Sequence, residues 1–419
     1  MRRRIAIVGG GVSGLVAART LHAGHDITVY EAADAPGGHA RTVTVPGGSA
    51  VDTGFIVFNE RTYPRFTELL RELGVASQPG DMSFGVSCRR CGIEYSSRGL
   101  AGLFARRVQV LRPAVHRMAV DVLRFNAWGR RAAARPGDDD ETIGDLLAAG
   151  RFGRGFFRHY LLPMSSAIWS AGADDAHRLP LRFLLTFFAN HGLLQVRGQP
   201  PWRTVTGGSR RYVEALVRPF RDRLRLGAAV GRIRRHAGGV EVHTSGMGWE
   251  PYDDVVIAAH ADQALALLEQ PAEEERAALG AVAYRRNVAV LHTDARILPR
   301  ARDAWASWNA QVEDCLDSGA SLRMTYHMNR LQRLPERPTW CVTLNDEARL
   351  DPSKVVARHV YDHPVYTTRA LRAREAIRAL SGRRRTHYCG AYLGNGFHED
   401  GVRAGLAVGE AIRRRRETS

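Results

Sequence analysis

The hydrophobic pattern changes period twice within the first thirty residues. Ile5-Ala6-Ile7-Val8 is an unbroken apolar run of the kind a buried parallel strand needs. Glycines dominate from Gly9 to Gly14. From Ser13 to His22 the residues favour a helix that Gly24 is placed to end, and a second strand follows at Asp26 to Tyr30. The same alternation returns much later. A helix is expected from Arg210 to Phe220, and short strands at Leu224 to Val230, Gly231 to Arg235 and Val240 to Thr244, with a turn at Gly238-Gly239. Asp254 to Ala259 reads as another buried strand, and His260-Ala261-Asp262-Gln263 begins a helix. Thr386 to Ala391 predicts a last strand. Beyond it Asp400 is placed to cap a helix on which Val402, Gly405, Leu406, Gly409 and Ile412 share one face. The expected architecture is mixed α/β, with one domain assembled from residues 1–75, 202–275 and 381–419. Residues 76–201 form a mostly helical insertion, and residues 276–380 mix strands and loops into a further sheet under a cavity.

Charge sharpens this picture. The chain of 419 residues carries a formal net charge of +17, and Lys354 is its only lysine, so the excess is arginine. A basic surface suits nucleic acid, anionic lipid or an acidic substrate. Zinc-finger spacing, ribonucleoprotein aromatics and a helix-turn-helix signature are all missing, so no nucleic acid is expected. A membrane phospholipid surface is the preferred partner, ahead of a merely solubilising one. The segment from Gly99 to Arg135 interleaves arginine with apolar residues, as a basic amphipathic helix lying in a membrane interface would. Its alternative is a surface helix packed on its own domain. A loop is expected at Arg135 to Asp140. No uncharged apolar run reaches the roughly 18 residues of a membrane span. The basic, apolar N-terminus is read as a retained strand and turn, not as a signal peptide. Five scattered cysteines make no disulfide framework, which implies a reducing, cytoplasmic setting, and the basic charge adds an expected peripheral attachment to the inner face of the cell membrane.

The first turn carries chemistry. Gly9, Gly11 and Gly14 fall in G-x-G-x-x-G between strand and helix, and Glu31 ends the second strand. Gly9 allows the tight turn, Gly11 lets a diphosphate approach the backbone, and Gly14 brings helix and strand together. The helix N-terminus beginning at Ser13 offers unpaired N–H groups to the anion, and Glu31 would accept hydrogen bonds from ribose hydroxyls. A second glycine turn, Gly37-Gly38-His39-Ala40-Arg41, comes directly after this acid. The pairing resembles the flavin amine oxidase, protoporphyrinogen oxidase and phytoene desaturase superfamily. That resemblance implies a Rossmann-like domain of glutathione-reductase type, FAD as cofactor, Arg41 near its phosphates, and Val230 beside the adenine. It also implies that Gly390, Ala391, Asp400, Gly401 and Val402 lie against the cofactor, with His398 and Glu399 beside the ring or ribitol. The glycine turn Thr206-Gly207-Gly208-Ser209 belongs to the same pattern.

Blocks spread over almost the whole chain resemble a narrower bacterial branch. They include Val51 to Asn59 with Thr62-Tyr63-Pro64, His260 to Leu265, Met328 to Gln332, His363-Pro364-Val365-Tyr366 and Gly396 to Gly401. That branch is associated with cyclopropane and methylated fatty acid metabolism and includes a flavin-dependent desaturase of methylated lipids. The resemblance implies an enzyme that desaturates a methyl-branched, unsaturated acyl chain of a phospholipid by allylic hydride transfer to flavin, with a further electron acceptor. Leu393 and Asn395 depart from the pattern where aromatics are expected. Candidate bases are His398, then His39 and Glu399; Tyr63 and Trp202 are candidate cavity-lining aromatics. Amine oxidation, a redox-neutral isomerase and a lipid-binding flavoprotein are the alternatives. Many amine oxidases of the superfamily use a lysine to hold a water, a role open here only to Lys354. Finally, Cys88-Arg89-Arg90-Cys91 suggests a metal or redox pair, but no second C-x-x-C exists among Cys315, Cys341 and Cys389, and the histidines form no H-E-x-x-H. No metal is expected.

Overall fold

The computed structural model describes residues 2–417 except 136, 138, 171, 318–321 and 336. Its organising element is a five-stranded, all-parallel sheet in the order Leu224–Arg225, Asp26–Tyr30, Arg4–Val8, Asp254–Ile257, Thr386–Tyr388. Three distant stretches of chain therefore supply one sheet. Both faces are covered, which is why Ile5, Ile7, Val255 and Val256 are all fully buried. The helix Val12–Leu21 packs on one face together with the C-terminal helix His398–Glu417. The antiparallel strands Val230–His236, Gly239–Thr244 and Gly248–Tyr252 lie on the other. The strand expected at Leu224 to Val230 is thus divided: Leu224–Arg225 joins the parallel sheet, and Val230 opens the antiparallel one with a bulge before Arg232.

A second, mixed sheet has seven strands in the order Val355–Pro364, Tyr284–His292, Cys341–Leu344, Leu322–His327, Trp308–Val312, Phe84–Cys88, Glu94–Ser96. Its last two strands come from the block expected to be mostly helical. Phe84–Cys88 is buried at every position and runs parallel to Trp308–Val312. Conversely, helix Thr368–Leu380 buries Ala370, Ile377 and Leu380 against the core of the parallel sheet, although it lies within the block assigned to the second sheet.

The basic segment is also broken up. Gly99–Leu103 is a short helix, Arg107–Leu111 a 3-10 turn, and only Pro113–Ala133 is a long helix. Pro113 explains the division, since its ring suits a first helical turn and not an interior. The long helix buries Val115, Met118 and Phe125 beneath it. Leu100, Val108, Val110, Leu111, Val120 and Leu123 remain exposed. No described helix is long and apolar enough to cross a membrane.

Candidate active site

The two glycine turns meet. Gly9 has φ +109°, and a Cβ there would stand 2.6 Å from the Ala258 carbonyl oxygen. At Gly14 a Cβ would fall 2.0 Å from the Gly9 oxygen, so helix and strand touch backbone to backbone. Gly37 N donates to the Gly10 carbonyl at 2.8 Å, and Gly38, with φ +56°, sits over Gly11. A Cβ at Gly11 would meet nothing within 4 Å, so its absence leaves open space at the start of the first helix. That space, beside amides with no partner inside the helix, fits a diphosphate. The Glu31 carboxylate is held by Gly10 N at 2.7 Å and Ala33 N at 2.9 Å. Each oxygen keeps a lone pair for a ribose hydroxyl. Ala228 N donates to the Glu31 carbonyl, which starts the Val230–His236 strand beside this acid. Val230 thus begins that strand close to Glu31. Arg41 Nη1 lies 3.3 Å from His359 Nδ1.

The C-terminal segment completes the wall mainly through packing. Cβ atoms at Gly401, Gly405 and Gly409 would lie 2.7 Å from Val12, 2.4 Å from the Ser13 oxygen and 2.6 Å from Thr20. One small residue per turn lets the last helix lie against the first. Gly401 and Ser13 thus serve helix contact, and Val402 is core. Gly390 is pinned beneath the Tyr392 ring, and Ala391 accepts hydrogen bonds from Gly394 N and Gly396 N. Asp400 accepts from Asn395 N and Phe397 N, both at 3.0 Å, and fixes the loop before the helix. Burial pushes its carboxyl up.

Two of the three candidate bases are committed to structure. Glu399 accepts from Arg65 N at 3.2 Å and Phe66 N at 2.9 Å, capping the helix Pro64–Glu72, while burial raises its pKa. His398 stacks on Phe55 at 3.6 Å and meets Tyr212 Oη through Nε2 at 2.8 Å; burial lowers it to about 3. His39 is different. It lies deep among its neighbours yet keeps part of its surface accessible. Among the described residues its ring nitrogens have no hydrogen-bond partner, and burial, then His363 and His260, hold it neutral. Its ring is 4.9 Å from Tyr361, 5.2 Å from His363 and 6.4 Å from His260. Asn287 Nδ2 donates to His363 Nδ1 at 2.9 Å, leaving the proton of that neutral imidazole on Nε2. His260 stacks on Tyr284 at 4.4 Å. His260 and His363 stood in the sequence blocks, but without an assigned role.

Aromatic rings line the boundary between the helical insertion and the terminal loop. Phe187 stacks on His191 at 3.8 Å and on Phe397 at 5.0 Å, Trp169 lies 4.9 Å from Phe187, and Trp202 stacks over His191 at 6.1 Å. Tyr63 packs edge-on to His191 at 6.4 Å but is itself buried in the core. Leu393 is core as well, and Asn395 contributes its carbonyl to Trp169 Nε1. Lys354 lies just before the strand Val355–Pro364, near Asp294 and Asp351. At ~3.3 Å per residue, His363 is about 30 Å away at the strand's other end. The sole lysine does not reach the histidine cluster.

The family model for flavin containing amine oxidoreductase matches residues 12–413. The chain belongs to that family. Its members' cofactor, FAD, fits the glycine cradle and Glu31. Among relatives, the family member named "Putative flavin-containing monoamine oxidase AofH" from Mycobacterium tuberculosis is 30% identical over 262 residues, 61% of this chain and 56% of that one. The chain thus matches little over half the length of this curated relative. Cyclohexylamine oxidase from Brevibacterium oxydans shares the fold end to end, with TM-score 0.70, 17% identity and 100% of both chains covered. A CLA-producing fatty acid isomerase from P. acnes does so with TM-score 0.70, 16% identity and 98% of both chains covered.

Proposed function

We propose that this protein is an FAD-dependent oxidoreductase that desaturates a methyl-branched, unsaturated acyl chain of a membrane phospholipid. The observation that carries the proposal is the exposed row Leu100, Val108, Val110 and Leu111, with exposed Arg106 and Arg107 within it. Apolar side chains without cover, framed by arginine, suit insertion between lipid headgroups, with the guanidinium groups on phosphate. Bound FAD supplies the acceptor for a hydride, with its electron pair. The substrate then loses a neighbouring proton, leaving a conjugated diene, and a methyl branch stabilises the allylic cation between the two losses. His39 is the base this chain offers, being neutral, partly accessible and, among the described residues, without a hydrogen-bond partner on its ring. His363 presents an N–H beside it, and the rings of Trp169, Phe187, Trp202 and Phe397 make an apolar wall for the acyl chain.

The fold is compatible with an acyl substrate, since a fatty acid isomerase shares it. Amine oxidation is less well supported, because Lys354 lies far from the histidines. The test mixes the flavin-loaded enzyme anaerobically with phospholipid bearing methylated, unsaturated acyl chains. Bleaching of the flavin with one diene formed per flavin reduced is expected. Bleaching by amines and none by lipid would overturn the proposal. So would isomerised lipid formed by prereduced enzyme without net oxidation.

A further inference from the structure

The C-x-x-C pair does not stand alone in space. Cys88 ends the strand Phe84–Cys88, and Cys91 lies in the turn before Glu94–Ser96. His159 comes from the helical insertion and Cys315 from the loop after Trp308–Val312. One ligand atom from each of the four lies within 4.8 Å of every other, Cys91 Sγ and His159 Nε2 being 3.4 Å apart. Tetrahedral zinc with Zn–S bonds of ~2.3 Å spaces its ligands by about 3.8 Å, so only small closure is required. We propose that Cys88, Cys91, His159 and Cys315 bind one structural zinc ion.

Three further features suit a metal better than a chance cluster. First, His159 Nδ1 lies 3.2 Å from the Gly155 carbonyl, which must receive its proton; the Nε2 lone pair is thereby left facing the sulfurs. The ring sits in a π-helical turn, Phe157–Leu161, and the Tyr95 hydroxyl holds the His159 carbonyl at 2.6 Å. Second, the hairpin is shaped as a knuckle. Gly92, at φ +70°, donates its amide to the Cys88 carbonyl at 3.0 Å, and Cys88 N donates to the Ile93 carbonyl at 2.8 Å, which closes the turn between the two cysteines. Third, the surroundings are cationic. Arg112 and Arg106 donate to the Cys91 and Gly92 carbonyls at 2.7 and 3.0 Å. Arg89–Glu313 and Arg90–Asp314 clip the hairpin to the segment carrying Cys315. Three thiolates and Zn²⁺ leave one net negative charge, which Arg106 and Arg112 offset, Arg89 and Arg90 being already paired with acids.

All four positions are filled by protein, so the site is closed and structural, not catalytic. It would staple the helical insertion to the seven-stranded sheet. Because Arg106 and Arg112 hang from the same turn, it would also anchor the exposed apolar segment between them.

The test uses the full-length, flavin-loaded protein purified without chelators. Elemental analysis should find one zinc per chain, released when a mercurial titrates the thiols. Exchange with Co²⁺ should give thiolate-to-metal and tetrahedral ligand-field bands, the latter to the red of flavin absorption. Cys315→Ser and His159→Gln should each lower zinc retention against a competing chelator at least tenfold, whereas Cys389→Ser should not. If the ligand variants fail to fold, the wild-type zinc content and cobalt spectrum still decide. Metal-free protein with freely reactive Cys91 and Cys315, or a Cys88–Cys91 disulfide in the native protein, would overturn the assignment.

Discussion

At Gly9, Gly14 and Gly405 the flavin-binding half is held together backbone against backbone, at separations that exclude a methyl group. The half proposed to face substrate works through side chains that meet from far apart in the chain: His39 with His260 and His363, or Trp169 with Phe187 and Phe397. The first kind of contact tolerates almost no substitution, because the opposing atom is backbone and cannot turn aside. The second tolerates changes of shape and fails only where a particular group acts. One half should therefore break by losing its cofactor, the other by losing turnover or acid stability.

The largest effect is expected at Gly14→Val. Its Cβ would stand 2.0 Å from the Gly9 oxygen, so the first helix must leave the strand and the diphosphate cradle opens. Purified variant should carry at least tenfold less flavin per protein, a loss of ~1.4 kcal/mol or more in cofactor affinity. Full flavin content with an unchanged melting temperature would remove the basis of the comparison. Next comes a contrast between two histidines. His39→Ala should retain flavin and thermal stability but lose turnover by ~10²–10⁴-fold, the range for a general base. His398→Gln should do the reverse, costing about 1–3 kcal/mol through the disturbed Tyr212 bond and Phe55 stack. Turnover of the folded His398→Gln protein should stay within a few-fold of wild type. Kinetics beside denaturant titration separates these outcomes.

The two halves were unequally legible in the sequence. Gly9, Gly11, Gly14 and Glu31 announce themselves because a tight turn, a close approach and a strand end are local demands, met within one βαβ unit. The Phe84–Cys88 strand was not legible, since a five-residue buried run has no period to separate strand from helix. Spatial clusters were harder still. His39, His260 and His363 converge only through the order of strands in two sheets, and Cys315 joins Cys88 only because Trp308–Val312 pairs with Phe84–Cys88. His398 and Glu399 were misleading for another reason. They follow a glycine-rich loop, but the register of the last helix turns them toward Tyr212 and the start of Pro64–Glu72.

Acid should find the same divide. Burial holds His191, His292, His327 and His363 down to about 4 and His398 to about 3, from an ordinary 6.5. Between those values the unfolded chain binds protons that the folded one does not, so stability rises with pH and is lost as pH falls below about 6.5. Each group contributes up to ~1.4 kcal/mol per pH unit within its window. Four of the five lie on the seven-stranded sheet or in the helical insertion. Melting temperature should fall steeply from pH 6.5 to 5, with hydrogen exchange rising first in those segments. His398→Gln should make the fall shallower. Uniform loss of protection across both sheets would contradict the division.

The smallest effect tests the exposed face of the substrate half. Leu111 is 82% exposed and Arg107 lies in the same 3-10 turn, so either change leaves the core alone. If this turn enters a lipid interface, Arg107→Gln should weaken binding to vesicles of anionic phospholipid about fivefold, near the ~1 kcal/mol of one arginine at such a surface. Leu111→Ser should weaken it as well, through lost apolar burial. The two should part on adding salt: screening erases the arginine deficit, whereas the leucine deficit persists, since burial of apolar surface involves no charge. Flavin content should be unchanged in both, because neither touches the glycine cradle. Equal binding by wild type and both variants at low salt would mean that this apolar row meets no membrane, and the lipid reading would lose the observation that carries it.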